Sequence, residues 1–141
     1  MISTLTIQPR YAETDQMGII HHSIYAQYYE MGRVQFCLDM KLPFDEIERR
    51  GLRLALIDIH SVFKKPLVFG KTYNQETKLI FNSRIKMILT YDIYDQNRQL
   101  MHQGTTTLCW LDQSLKPVNI LKVNKEVYEI FNQHLEGESH E

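Results

Sequence analysis

One stretch, Ser23 to Met40, restricts the fold more than any other. Ser23 offers an N-cap ahead of IYAQYYEMGRVQFCLDM. Tyr25, Tyr29, Gly32 and Phe36 recur there at three- and four-residue steps, and Tyr28, Met31 and Leu38 widen the apolar stripe. A helix with so wide an apolar face is expected to be largely buried. Gly32 costs about 1 kcal/mol in a helix interior, so its presence predicts a neighbouring backbone passing close to that face. A sheet wrapped on the helix satisfies both demands.

The flanking segments supply that sheet. TLTIQPRY (4–11) reads as a strand whose Pro9 suits an edge or an end. FDEIERRGL reads as a short helix closed by Gly51, and LRLALIDIHSVFKK as a strand ended by Pro66 and Gly70. Three more strands follow: KTYNQETKLIF, RIKMILTYDIY and QLMHQGTTTLCWL, the second with Ile85, Met87, Leu89, Tyr91 and Ile93 on one face. Asn124 can cap a last helix, KEVYEIFNQHL, with Val127, Ile130, Phe131 and His134 on one side, and residues 135–141 are expected as a tail. The order is an α+β layout in a single domain spanning 1–141, in which a sheet can curl around one helix. Periodicity alone does not choose among α+β folds and names no reaction.

Composition narrows the partners. With 16 basic and 17 acidic residues the net charge is -1, which argues against nucleic acid or an anionic membrane surface as a general partner. Apolar runs span only a few residues, so a cytoplasmic protein is expected. Cys37 and Cys109 lie far apart without metal-type spacing and read as reduced core residues.

The segment Arg10 to Arg33, RYAETDQMGIIHHSIYAQYYEMGR, resembles the signature of the 4-hydroxybenzoyl-CoA thioesterase-like branch of the hotdog superfamily. The downstream VFKKPLVFG and TTTLCWLD also fit, so the resemblance covers most of the chain. It implies a long central helix wrapped by a five-stranded antiparallel sheet. It further implies homo-oligomers, dimers or dimers of dimers, that pair their sheets and share their active sites. Asp15 matches the catalytic carboxylate, and Gly18 to Ser23 match the turn into the helix. Ile24 departs from the pattern, since many members carry asparagine there.

Physical chemistry makes that site intelligible. A thioester carbonyl needs a nucleophile, stabilisation of the oxyanion formed on attack, and a leaving group that departs easily. The Asp15 carboxylate either attacks the carbonyl or deprotonates water. Gly18, His22 and Ser23 bring unpaired amides and a positive dipole end to the growing oxyanion. The thiolate leaves with little help from an acid. Against this, aspartates before helices are usually caps or turn formers. His22 either orients the reactants or contributes only its N–H. Met17, Ile19, Ile20 and Phe63 are candidates for the acyl pocket, and Tyr25 either lines it or simply packs in the core. Lys64 and Lys65 either meet CoA phosphates or are solvated surface. Glu30 and Arg33 read as an intrahelical ion pair with no catalytic part. His21 and His22 lack a third ligand at zinc-like spacing, so neither metal nor other cofactor is expected. The reading is an acyl-CoA thioesterase; a non-catalytic acyl-CoA-binding protein is the alternative, and a hotdog dehydratase lacks its His and acidic pattern here.

Overall fold

The structure is a computed structural model that describes residues 1–140. The first strand, β1 (Ser3–Ile7), ends two residues before Pro9, which carries no ladder N–H. The chain then crosses a loop to α1 (Tyr25–Asp39) and the short α2 (Phe44–Arg49). Four strands follow, β2 (Arg53–Phe63), β3 (Tyr73–Ser83), β4 (Lys86–Tyr94) and β5 (Leu100–Leu111). Helices α3 (Ile120–Val123) and α4 (Lys125–Gln133) and a sixth strand, β6 (Leu135–His140), complete the described chain. The sheet runs β1-β3-β4-β5-β2, antiparallel throughout, with α1 packed across one face. This is the α+β hotdog arrangement of a long helix in a curved sheet.

The contact between α1 and the sheet is tight because two glycines remove side chains from it. A Cβ on Gly32 would lie 2.5 Å from Nε2 of Gln75 and 2.6 Å from Oγ1 of Thr77. The close approach expected at Gly32 therefore exists, though side chains of β3 make it rather than a backbone. On the sheet, a Cβ on Gly104 would sit 2.2 Å from the ring of Tyr29. Some polar groups trapped in this layer find partners, since Gln75 donates to the carbonyl of Tyr28 at 2.8 Å and the Tyr91 hydroxyl lies 2.6 Å from that of Thr106, whereas Gln75 Oε1 and Thr77 Oγ1 have none.

Several expectations need correction. Met31 and Leu38 are about half exposed and lie, with Val34, on the side of α1 away from the sheet. At 100° per residue they point opposite the row Tyr25, Tyr29, Gly32 and Phe36, so the buried stripe is narrower than expected. Ile85 is half exposed because β4 starts one residue later; Met87, Leu89, Tyr91 and Ile93 are buried as one face. The expected five antiparallel strands are joined by a sixth, because residues 135–140, expected as a tail, pair in parallel with the far half of β3. Gly137 permits this: a Cβ there would lie 2.0 Å from the carbonyl oxygen of Ile80. Glu141 lies outside the described residues. Asn124 caps α4 as expected, accepting from Val127 N at 3.2 Å.

Candidate active site

The loop before α1 is organised by Asp15. Its Oδ1 accepts from the amides of Met17 at 2.7 Å and Ile19 at 3.4 Å, and its backbone amide donates to the Ile19 carbonyl at 2.8 Å. Gly18, at φ +78°, supplies the left-handed residue that this tight turn needs. The turn is pinned from outside by Ile20, whose amide donates to the Leu67 carbonyl at 2.9 Å, and by bridging of Ile19 to Val68. One carboxylate oxygen thus forms the turn. The other, Oδ2, accepts no hydrogen bond among the described residues and is held in place by its twin.

The helix start differs from expectation. A 3-10 turn, His22–Ile24, precedes α1, and its cap is His21 rather than Ser23. The ring Nδ1 of His21 accepts from the Ser23 amide at 3.1 Å and lies 2.8 Å from its hydroxyl. Ser23 therefore cannot offer its N–H to a ligand while this cap stands. The amide of His22 has no acceptor among the described residues. The rings of His21 and His22 lie 4.1 Å apart, tilted by 30°.

A cleft of about 330 Å³ opens in front of this turn. The structure brings Asp15, Met17, Ile19, Ile20, His22, Tyr25, Phe63, Lys64 and Lys65 around it, and adds Pro66. Gly18 and Ser23 do not line it and act through backbone geometry. Tyr25 both packs and lines: it is 2 % exposed, its ring stacks on His102 at 4.1 Å, and its edge meets Phe63 at 5.1 Å. Glu30 and Arg33 do not pair. Arg33 instead donates to the Tyr91 hydroxyl at 3.2 Å, and with Glu30 it lines a separate apolar pocket of about 320 Å³ against Phe44, Ile47, Leu54 and Leu56. Among the described residues no three of His, Cys, Asp and Glu converge as a metal site requires.

A carboxylate with one free oxygen and the 3-10 turn before a buried helix line one largely apolar cleft, an arrangement that suits acyl transfer. Residues 9–130 match the family model of the thioesterase-like superfamily. The chain belongs to that superfamily. Over 122 residues it is 33% identical to "Putative acyl-CoA thioesterase YneP" of Bacillus subtilis, covering 86% of this chain and 88% of that one. Among solved structures, a DHNA-CoA thioesterase from Staphylococcus aureus superposes with a TM-score of 0.89 at 25% identity, over 94% of this chain and 89% of that one. A hypothetical protein from Thermus thermophilus, TT1821, gives a TM-score of 0.87 at 30% identity, over 94% and 98%. As a member of the thioesterase-like superfamily, the chain is a thioester hydrolase.

Two groups of this thioesterase-like chain escape sequence reasoning. Glu13, 7 % exposed, accepts from the Arg10 amide at 2.9 Å and the Tyr28 hydroxyl at 2.7 Å, and pairs with the Arg10 guanidinium at 3.2 Å. Burial raises its pKa, but the hydrogen bonds from Arg10 and Tyr28 outweigh that and hold the carboxyl below its ordinary value. The same contact, with burial as the larger cause, drives the Tyr28 hydroxyl well above its ordinary value. The second group is His102, wholly buried beneath Tyr25, with Nε2 on the Tyr29 hydroxyl and Nδ1 without a partner. Burial lowers its pKa to about 4, so the ring is neutral. The signal for Glu13 lay in the motif itself, two residues before Asp15. His102 stands in an ordinary strand pattern, where nothing marks it.

Proposed function

We propose that the chain hydrolyses an acyl-CoA to the free acid and CoA at the Asp15 cleft. The observation that carries this reading is the divided duty of the Asp15 carboxylate: Oδ1 is fixed by two amides, leaving Oδ2 oriented and unpaired beside the cleft. In the general-base route Oδ2 takes a proton from water, and the water oxygen bonds to the thioester carbon. In the nucleophilic route Oδ2 bonds to that carbon itself, and water then cleaves the mixed anhydride. In both, the C–S bond breaks and the sulfur leaves as thiolate. The oxyanion is met by the His22 amide and the positive end of α1. Met17, Ile19, Tyr25 and Phe63 shape the acyl pocket, and Lys64 and Lys65, exposed at its rim, face the phosphates of CoA.

The edge strand β2 supports pairing of two copies. It bonds to β5 on one side only, and its helix-facing Leu56, Ile59 and Phe63 are 45 to 54 % exposed apart from Ile59 at 43 %. Such an edge demands a cover. A two-fold axis through the middle of β2 would set the Phe63 end of one copy against the Arg53 end of the other. The Asp15 cleft of one copy would then adjoin the Glu30 and Arg33 pocket of its partner. This arrangement fits a site shared between subunits.

Replacement of Asp15 by Asn keeps the shape of the turn and removes the charge. Thiol release from a panel of short, long and aromatic acyl-CoAs is expected to fall by about 100-fold or more in kcat, with an unchanged melting temperature. Undiminished turnover in the folded variant would reject the assignment. Binding of acyl-CoA without thiol release by the native protein would favour a purely ligand-binding role.

A further inference from the structure

We propose that the cleft between Tyr11 and Phe69 holds the adenine nucleotide of the thioester carrier, so that the chain takes CoA thioesters in preference to those of acyl carrier protein. The inference rests on the Asp15 cleft being the hydrolytic site and names the carrier it serves.

Two large rings stand out in water here without a packing reason. Tyr11 is 74 % and Phe69 55 % exposed, and they meet edge to face at 5.6 Å and 76°. Both sit on backbone fixed by other contacts. The Tyr11 carbonyl accepts from the Thr14 amide at 3.1 Å and its hydroxyl at 2.7 Å. The neighbouring Val68 amide donates to the Tyr73 hydroxyl at 3.1 Å, and Gly70, at φ +91°, turns the chain behind Phe69. The rings are therefore presented, not loose. They wall a cleft of about 430 Å³ whose cations are Arg10 and Lys71.

That cleft is joined to the reactive carboxylate. It shares Lys71 and Thr72 with a second cleft of about 640 Å³, and the second shares Pro66 with the cleft of Asp15. The 66–72 loop thus forms one continuous wall from the thioester position to the aromatic pair. Lys64, Lys65 and Lys71 are exposed along it, and none of them makes an ion pair among the described residues. An arm running from Asp15 along this wall passes Lys64 and Lys65 and arrives at Lys71, at the Arg10 guanidinium paired with Glu13, and at two flat apolar faces. A purine nucleotide satisfies both, by stacking and by phosphate–lysine contact. A carrier protein would engage the lysines through acidic side chains and leave the rings idle.

Adenosine 3′,5′-bisphosphate, which has neither arm nor acyl group, tests the site without any turnover. In calorimetric titration Tyr11→Leu and Phe69→Leu, which keep apolar bulk and remove the ring, are each expected to weaken its binding by about ten-fold. In turnover assays, the same variants are expected to raise the KM for an acyl-CoA by a similar factor with kcat nearly constant. The preference for acyl-CoA over the N-acetylcysteamine thioester of the same acid shrinks accordingly. Unaltered nucleotide affinity in both variants overturns the proposal. So does native turnover of an acyl carrier protein thioester that equals or exceeds that of the acyl-CoA, or a changed molecular mass of either variant in light scattering, which would make the rings a subunit contact. A native protein that binds the nucleotide but hydrolyses no thioester refutes the hydrolytic reading while leaving the nucleotide site standing.

Discussion

Glu13 ties the Asp15 loop to the helix. Its carboxylate takes the Arg10 amide and the Tyr28 hydroxyl, while its carbonyl takes the His21 amide at 2.8 Å. Both ends of the loop that carries Asp15 thus depend on it. Glu13→Gln keeps the size and loses the charge, and is expected to cost roughly 1–3 kcal/mol. The pH dependence has a definite sign. The folded carboxyl titrates below its ordinary 4.5, so its contribution is whole above that pH and is lost as pH falls through the folded value. Melting temperatures of both proteins across pH 3 to 7 check this: the gap between them should close in acid. Asp15 was legible from its motif, and its turn-forming reading holds, since Oδ1 accepts from the Met17 and Ile19 amides; the catalytic reading proposed for it does not compete with that duty. One oxygen forms the turn and leaves the other without a hydrogen bond among the described residues, and only coordinates distinguish two oxygens of one carboxylate.

At the scale of elements, the seat of α1 on β5 is set by a ring over a glycine. Tyr29 is fully buried, stacked on Tyr91 at 4.7 Å, with its hydroxyl held by His102 and by Ser61 at 2.7 Å. It has nowhere to move if Gly104 acquires a Cβ. Gly104→Ala is therefore expected to destabilise by about 3 kcal/mol, whereas Gly32→Ala, which meets the ends of Gln75 and Thr77, costs nearer 1 kcal/mol. Chemical denaturation of the two variants ranks them, and equal costs would contradict the rigid-ring account. Gly32 announced itself in the sequence because glycine is costly inside a helix. Gly104 did not, because its reason is a residue 75 positions away that the fold brings above it.

The whole molecule has an unpaired edge and a buried base. Ile59→Lys places a charge on the exposed inner face of β2 and is expected to halve the molecular mass in light scattering and to lower kcat/KM by at least about ten-fold. A monomer as active as the native protein would refute the shared site. His102 governs a separate, global response. Its folded pKa of about 4 lies below the ordinary 6.5, so the unfolded chain binds a proton first as pH falls. Stability is whole above pH 6.5 and declines toward pH 4, by roughly 3 kcal/mol in total, and His102→Gln should flatten that slope in thermal melts.

Local order dictated much of this protein. The period of α1, the alternation of β4 and the capping Asn124 are interactions among residues near one another along the chain, and a string of residues displays them directly. The motif from Arg10 to Arg33 likewise carried the family and singled out Asp15. Tertiary structure alone decided that residues 135–140 complete the sheet and that Glu30 and Arg33 part company. It also placed His102 beneath the cleft. Each of these is a competition between a local partner and a distant one, and its outcome depends on distances that exist only once the chain has closed on itself.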